Sequence, residues 1–171
     1  TYIADSSEFE GIDRHDIAGI SSLKGVALIT LRGRLSRELP SIHTRAVNAL
    51  SRKGISILLM SQSSDDYTFS FAIDGKHLPE AARLLKEEFA TEFVDRELEV
   101  LEATGGLAVL AVVGDGIRNI TDISPRIYGI LTENQINVYA ISDKASETTI
   151  SFVITEERVN DALRALHAAF F

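Results

Sequence analysis

The chain has 171 residues, 45% of them hydrophobic, which is enough for a real core in one medium domain or two small ones. Seventeen Lys and Arg against 25 Asp and Glu give a net charge of −8, with no basic run longer than two, and this argues against nucleic acid as a partner. Nothing approaches 18 consecutive apolar residues, so no membrane span is expected, and the lack of cysteine excludes disulfides and thiolate metal sites. The first residues, "TYIADSSEFEG", are acidic and polar, unlike a secretion signal, and a cytoplasmic location is expected.

In chain order, "DIAGIS" (16–21) is short and partly apolar. The apolar run 26–33, closed by Gly33, predicts a buried strand. Residues 41–53 carry Ile42, Ala46, Val47, Ala49 and Leu50 at helical spacing, with Ser41 as N-cap and Gly54 as the stop. An apolar strand is expected at 55–60. A half-exposed strand follows at 67–73, with Tyr67, Phe69, Phe71 and Ile73 on one face. Residues 77–90 read as an amphipathic helix on Leu78, Ala81, Ala82, Leu85 and Phe89; the acids at 87, 88 and 92 fall on its outward side. "LEVLEA" (98–103) supplies a fourth strand.

The remainder repeats this plan. "AVNALSRKGISILLMSQSSDDYTFSFAI" (46–73) aligns without a gap on "IYGILTENQINVYAISDKASETTISFVI" (127–154), and subtracting 46 from 127 gives an offset of 81. The same offset lays 26–33 on 107–114 and 77–89 on 158–170. The expected fold class is therefore α+β: two ferredoxin-like βαββαβ units, each an antiparallel sheet with helices on one face. The second unit has no strand of its own to match 98–103. Residues 16–21 are expected to supply it, which places the first unit (22–104) as an insertion within the second (16–21 plus 105–171).

Chemistry is sparse. The histidines at 15, 43, 77 and 167 share no metal-ligand spacing, so no metal is expected. "GDGIRN" (114–119) lacks the third glycine of a dinucleotide loop and reads as a tight turn feeding a helix. No catalytic set of Ser, His and Asp or paired carboxylates is placed, so no enzyme activity is expected of this chain. "SQSSDD" (61–66) is a turn between strands.

"SRKGISILLMSQSSDDYTFSF" and "LAVLAVVGDGIRNITDIS" resemble the paired ACT domains of aspartokinase, most closely the version in bifunctional aspartokinase–homoserine dehydrogenases. The resemblance covers residues 16 to 171. It implies a regulatory region that binds an end-product amino acid and switches off a kinase converting aspartate to 4-phosphoaspartate. Residues 1–15 would be a linker from that kinase domain, which would use ATP and Mg; this chain needs no cofactor of its own. Carried over by position, the effector would meet Ser36, Ser41, Ile42 and His43 on one side and Ser61, Gln62 and Ser63 on the other. Lysine-sensing relatives place an aspartate where this chain has Leu58, and Gln62 is shared with threonine-sensitive members, so threonine is favoured over lysine. In the second unit Gln62 becomes Asp143, which departs from the pattern. The resemblance also implies a homodimer through ACT units. The alternative is a constitutive dimerisation module without an effector.

Overall fold

The computed structural model of the chain describes residues 17–33, 39–62, 68–114, 117, 123–143 and 148–171. The elements are β1 (Gly19–Gly33), α1 (Leu39–Ser51), β2 (Ile57–Gln62), β3 (Thr68–Asp74), α2 (Leu78–Glu88) and α3 (Ala90–Val94). They continue as β4 (Leu98–Val113), α4 (Ile123–Glu133), β5 (Ala140–Asp143), β6 (Thr149–Thr155) and α5 (Val159–Phe170). The six strands form one sheet in the order β2-β3-β1-β4-β6-β5.

Two long strands carry both units. β1 and β4 pair antiparallel from Gly19↔Val113 at one end to Gly33↔Leu98 at the other. The first unit uses residues 26–32 of β1, against β3, and the second uses 107–113 of β4, against β6. Gly19, Ile20 and Ser21 pair with Val113, Val112 and Ala111, in the part of β4 that also pairs with β6. The short strands expected at 26–33 and 98–103 are thus parts of longer ones. Gly25 and Gly106, 81 apart, take φ of +72° and +71°. The β1–β4 register shifts between Lys24 and Val26, beside Gly25. Glycine at such a bulge lets a strand bend without ending.

The helix faces of the two half-sheets hold separate cores. Ile29, Leu31, Phe69, Phe71 and Ile73 pack under α1 and α2, while Leu110, Val112, Ile150, Phe152 and Ile154 pack under α4 and α5. A third core, on the other face, draws on every strand: Val26, Leu28, Leu59, Ala72, Leu107, Ala140 and Val153. The sheet curls far enough that its opposite edges, β2 and β5, come within 8 Å of each other between Cα atoms. The third strand keeps the expected alternation at Thr68, Ser70 and Asp74, which stay partly exposed, and departs from it at one residue. Ala72 is fully buried, because the second unit covers the face that alternation alone would leave in water.

Two of the three acids at 87, 88 and 92 also depart from expectation. α2 breaks at Phe89, whose φ of −109° and ψ of 23° are not helical, and the chain turns into α3. Glu87 stays exposed beside Arg83, whereas Glu88 and Glu92 turn inward and pair with Arg45 of α1. Glu92 follows the buried Leu85 by seven residues, two helical turns, and so shares the inward side.

The repeat extends to helix ends. α1 closes with Ile55 N–H donating to the Leu50 carbonyl at 3.1 Å and Gly54 N–H to Ser51 at 2.9 Å. After α4, Ile136 donates to Leu131 and Gln135 to Thr132, both at 2.9 Å. This is the Schellman pattern, which wants a left-handed residue. Gly54 supplies it freely at φ +68°, but Gln135 holds φ +56° with a side chain. Gln135→Gly should therefore raise the unfolding free energy by about 0.5–1 kcal/mol in urea titrations.

Candidate functional site

Sequence reasoning gathered seven residues at one end of the first unit, where α1 begins and β2 stops. Ser36 and Ser63 lie outside the described residues, as does the side chain of Ser41. α1 starts at Leu39, two residues earlier than expected, so Ser41 belongs to the first helical turn and is not its cap. Pro40 suits that position, because its missing N–H is one of the donors a helix start leaves unpaired. Ile42 is 2% exposed and its side chain belongs to the core, leaving only its backbone to face a ligand.

The structure brings His43 and Gln62 together around Phe69. The half-buried His43 ring meets Phe69 edge-on, with 5.5 Å between centroids. Gln62, exposed at the end of β2, pairs directly opposite Phe69 in the antiparallel ladder. Residues so paired point to the same face with Cβ atoms about 5 Å apart. Gln62 brings both an amide donor and a carbonyl acceptor to this corner.

Ser61 faces the other way, since successive strand residues alternate. It pairs with Ser70, which pairs with Thr30, and the Thr30 and Ser70 hydroxyls are 2.8 Å apart. Ser61 is therefore part of a hydroxyl row on the sheet face away from the helices. Leu58 is the extra residue of a bulge, because Ile57 pairs with Ile73 and Leu59 with Ala72. It is 43% exposed on the open edge of β2, with Met60 at 40%.

In the second unit the backbone geometry recurs and the chemistry does not. Asp143 pairs with Ile150 as Gln62 pairs with Phe69. Ile150 replaces the aromatic ring and Ser124 stands where His43 does. A cleft of about 530 Å³ opens where the β2 and β5 edges approach, lined by Val47, Ile57, Leu58, Leu59, Met60, Ser142 and Ser151. Neither His43 nor Gln62 lines it.

Among the described residues no cluster of three or more His, Asp or Glu is placed to hold a metal ion. His77 ends a 3-10 turn before α2, and His167 stacks on Phe171 at 5.0 Å. No helix of the described residues is long and apolar enough to cross a membrane.

Comparison with known proteins reproduces the internal offset. The sequence model of the ACT domain family matches residues 29–89 and again 110–170. A bifunctional aspartokinase/homoserine dehydrogenase of Haemophilus influenzae is 32% identical over 91% of this chain, and the chain spans 19% of that relative's length. The crystal structure of the ligand-free regulatory subunit of aspartate kinase from Thermus thermophilus has a TM-score of 0.72 at 22% identity, covering 91% of this chain and 99% of that one. That of E. coli aspartokinase III in complex with lysine and aspartate (T-state) has a TM-score of 0.67 at 20% identity, covering 94% of this chain and 34% of that one.

Proposed function

Because this chain belongs to the ACT domain family, we propose that it is the regulatory region of an aspartokinase of the bifunctional aspartokinase–homoserine dehydrogenase type, binding an end-product amino acid in its first unit. The observation that carries this reading is the corner where Gln62 and His43 flank Phe69 beside the start of α1. Unpaired N–H groups at a helix start suit a carboxylate. Gln62 can both donate to and accept from a side-chain hydroxyl. Ser36, Ser41, the Ile42 backbone and Ser63 complete the proposed surround, and Ser61, whose side chain faces the other side of the sheet, offers it only backbone.

Threonine fits this chemistry better than lysine. E. coli aspartokinase III is described with lysine bound, but here Leu58, Gln62 and His43 offer no carboxylate to a lysine ammonium. Leaving such a cation unpaired on partial burial is unfavourable. The second unit lacks the aromatic ring and the imidazole at the matching positions, so we assign one effector site to the first unit.

The kinase reaction, phosphorylation of aspartate with ATP and Mg, would belong to a separate domain. Effector binding would inhibit it through different affinity for two states of the assembly, typically worth about 1–3 kcal/mol. A twofold homodimer through ACT edges is part of the proposal. The exposed Leu58 and Met60 on the β2 edge favour some such partner strand, and they also support the second reading, a dimerisation module without effector.

A melting scan against the amino acids separates the two. An effector at 100 times its Kd should stabilise the fold by about 2.7 kcal/mol, and the expected ligand is threonine. In calorimetry, Gln62→Ala should weaken binding roughly 2- to 10-fold by removing one hydrogen-bonding group. Unchanged affinity would remove Gln62 from the site, and no response to any amino acid would leave the dimerisation module.

A further inference from the structure

Arg45 lies on α1 one turn beyond Ile42 and joins that helix to the segment leading into β4. Its Nε donates to Glu88 Oε1 at 3.0 Å, its Nη2 to the Glu88 carbonyl at 2.6 Å, and its Nη1 pairs with Glu92 Oε1. The guanidinium also lies 4.7 Å from the centre of the Phe89 ring. The second unit keeps half of this arrangement. Arg126 stacks on Phe170 at 4.6 Å and donates to the Ala169 carbonyl at 2.9 Å. Both arginines thus serve the carbonyl end of a helix, where a cation is favoured.

The carboxylates are what differ. Ala169 stands where Glu88 does, and among the described residues no carboxylate pairs with Arg126. Stacking and capping proceed without acids in the second unit, so packing alone does not call for them in the first. Yet the first unit keeps Glu92 with only 13% of its side chain exposed, its Oε2 buried without a hydrogen-bond partner. An unsatisfied buried oxygen is unfavourable. Burial alone would raise the Glu92 pKa. Hydrogen bonds from Arg45 and the backbone, with the arginine charge, outweigh it and hold the carboxyl below its usual value, so it stays ionised.

The pair closes a mechanical loop. Glu97 N–H donates to the Glu92 carbonyl at 2.9 Å, and the next residue, Leu98, opens β4 buried at 1% exposure. Leu98 pairs with Gly33, the last residue of β1. Resting on the sensing function proposed above, we propose that the Arg45–Glu92 pair is a positioning element: it fixes the start of α1, with His43, against the sheet end that carries Phe69 and Gln62, and passes movement there into β4. Since β4 runs on into the second unit, the same strand carries that movement across the repeat.

The test is hydrogen exchange on the whole chain, comparing the wild type with Glu92→Gln, Arg45→Lys and Glu87→Gln. Glu92→Gln should speed exchange both at 42–46 and at 98–101. Arg45→Lys, which keeps the charge but loses the fork, should do so less. Glu87→Gln, which breaks an exposed pair, should change neither region. Faster exchange confined to 88–94 overturns the proposal. For the amino acid that stabilises the wild type, Glu92→Gln should weaken affinity roughly 2- to 30-fold; unchanged affinity also overturns it. A wild type that responds to no amino acid counts against the sensing function instead, and the exchange pattern alone then upholds or overturns the coupling.

Discussion

Phe71→Ala should destabilise the protein by about 3–5 kcal/mol, and Phe152→Ala by a similar amount. The two rings sit 81 residues apart at matching points of the repeat, 1% and 0% exposed, each central to its unit's helix-side core. Two independent domains would respond separately, each substitution lowering one of two transitions. The shared β1–β4 ladder predicts otherwise: either change lowers a single transition, and both units lose protection together. Urea unfolding followed by hydrogen exchange at 69–73 and at 150–154 decides this. Separate midpoints at the two places would show that the units fold alone.

Gly75→Ala should cost about 1–3 kcal/mol. A Cβ added at Gly75 would come within 2.8 Å of the Gly25 carbonyl oxygen, and backbone at a bulge has little room to retreat. The Gly25 N–H, next to that carbonyl, donates to Glu156 Oε2 at 3.0 Å, and Glu156 is the residue matching Gly75 in the repeat. One bend point is therefore held from both units. Gly129→Ala is the control with the opposite sign: nothing lies within 4 Å of its added Cβ, in mid-helix, and it should stabilise by up to about 1 kcal/mol. Thermal melts of both variants suffice, and a neutral Gly75→Ala would mean that the bend point yields freely.

Much of this was legible in the sequence because a duplicated pattern checks itself. The offset of 81 marked matching strands and helices, and the family match falls at the same spacing. The continuity of β1 and β4 was hidden, since glycine in an apolar run reads as a stop, and only the pairing register shows Gly25 and Gly106 bending a strand that continues. The inner core was hidden as well. The strand 68–74 alternates as if one face were wet, and the burial of Ala72 on that face depends on another unit some 80 residues away in sequence, which no local pattern records. Glu92 was misread for a different reason: its spacing of seven from Leu85 already put it on the buried face, but its charge made it read as solvated. At the candidate site, Gln62 and His43 stood out by residue type and position, but Phe69 between them was counted as core only. Its register opposite Gln62 would have been the signal.

The pairing of Gly19–Lys24 with Leu107–Val113 also sets an order of events during synthesis. A ribosome delivers the early partner long before the late one. By the time Thr104 has emerged, the first unit has all its strands, but residues 19–24 still wait for their partner in β4. Such an unpaired edge invites pairing with a neighbouring nascent chain. Ser21, Ser22 and Lys24 make this stretch polar, a composition that discourages that exchange while the rest of the chain is made. This long-range pairing thus leaves its mark on the protein before the fold is complete, in the residues that wait longest for their β4 partner.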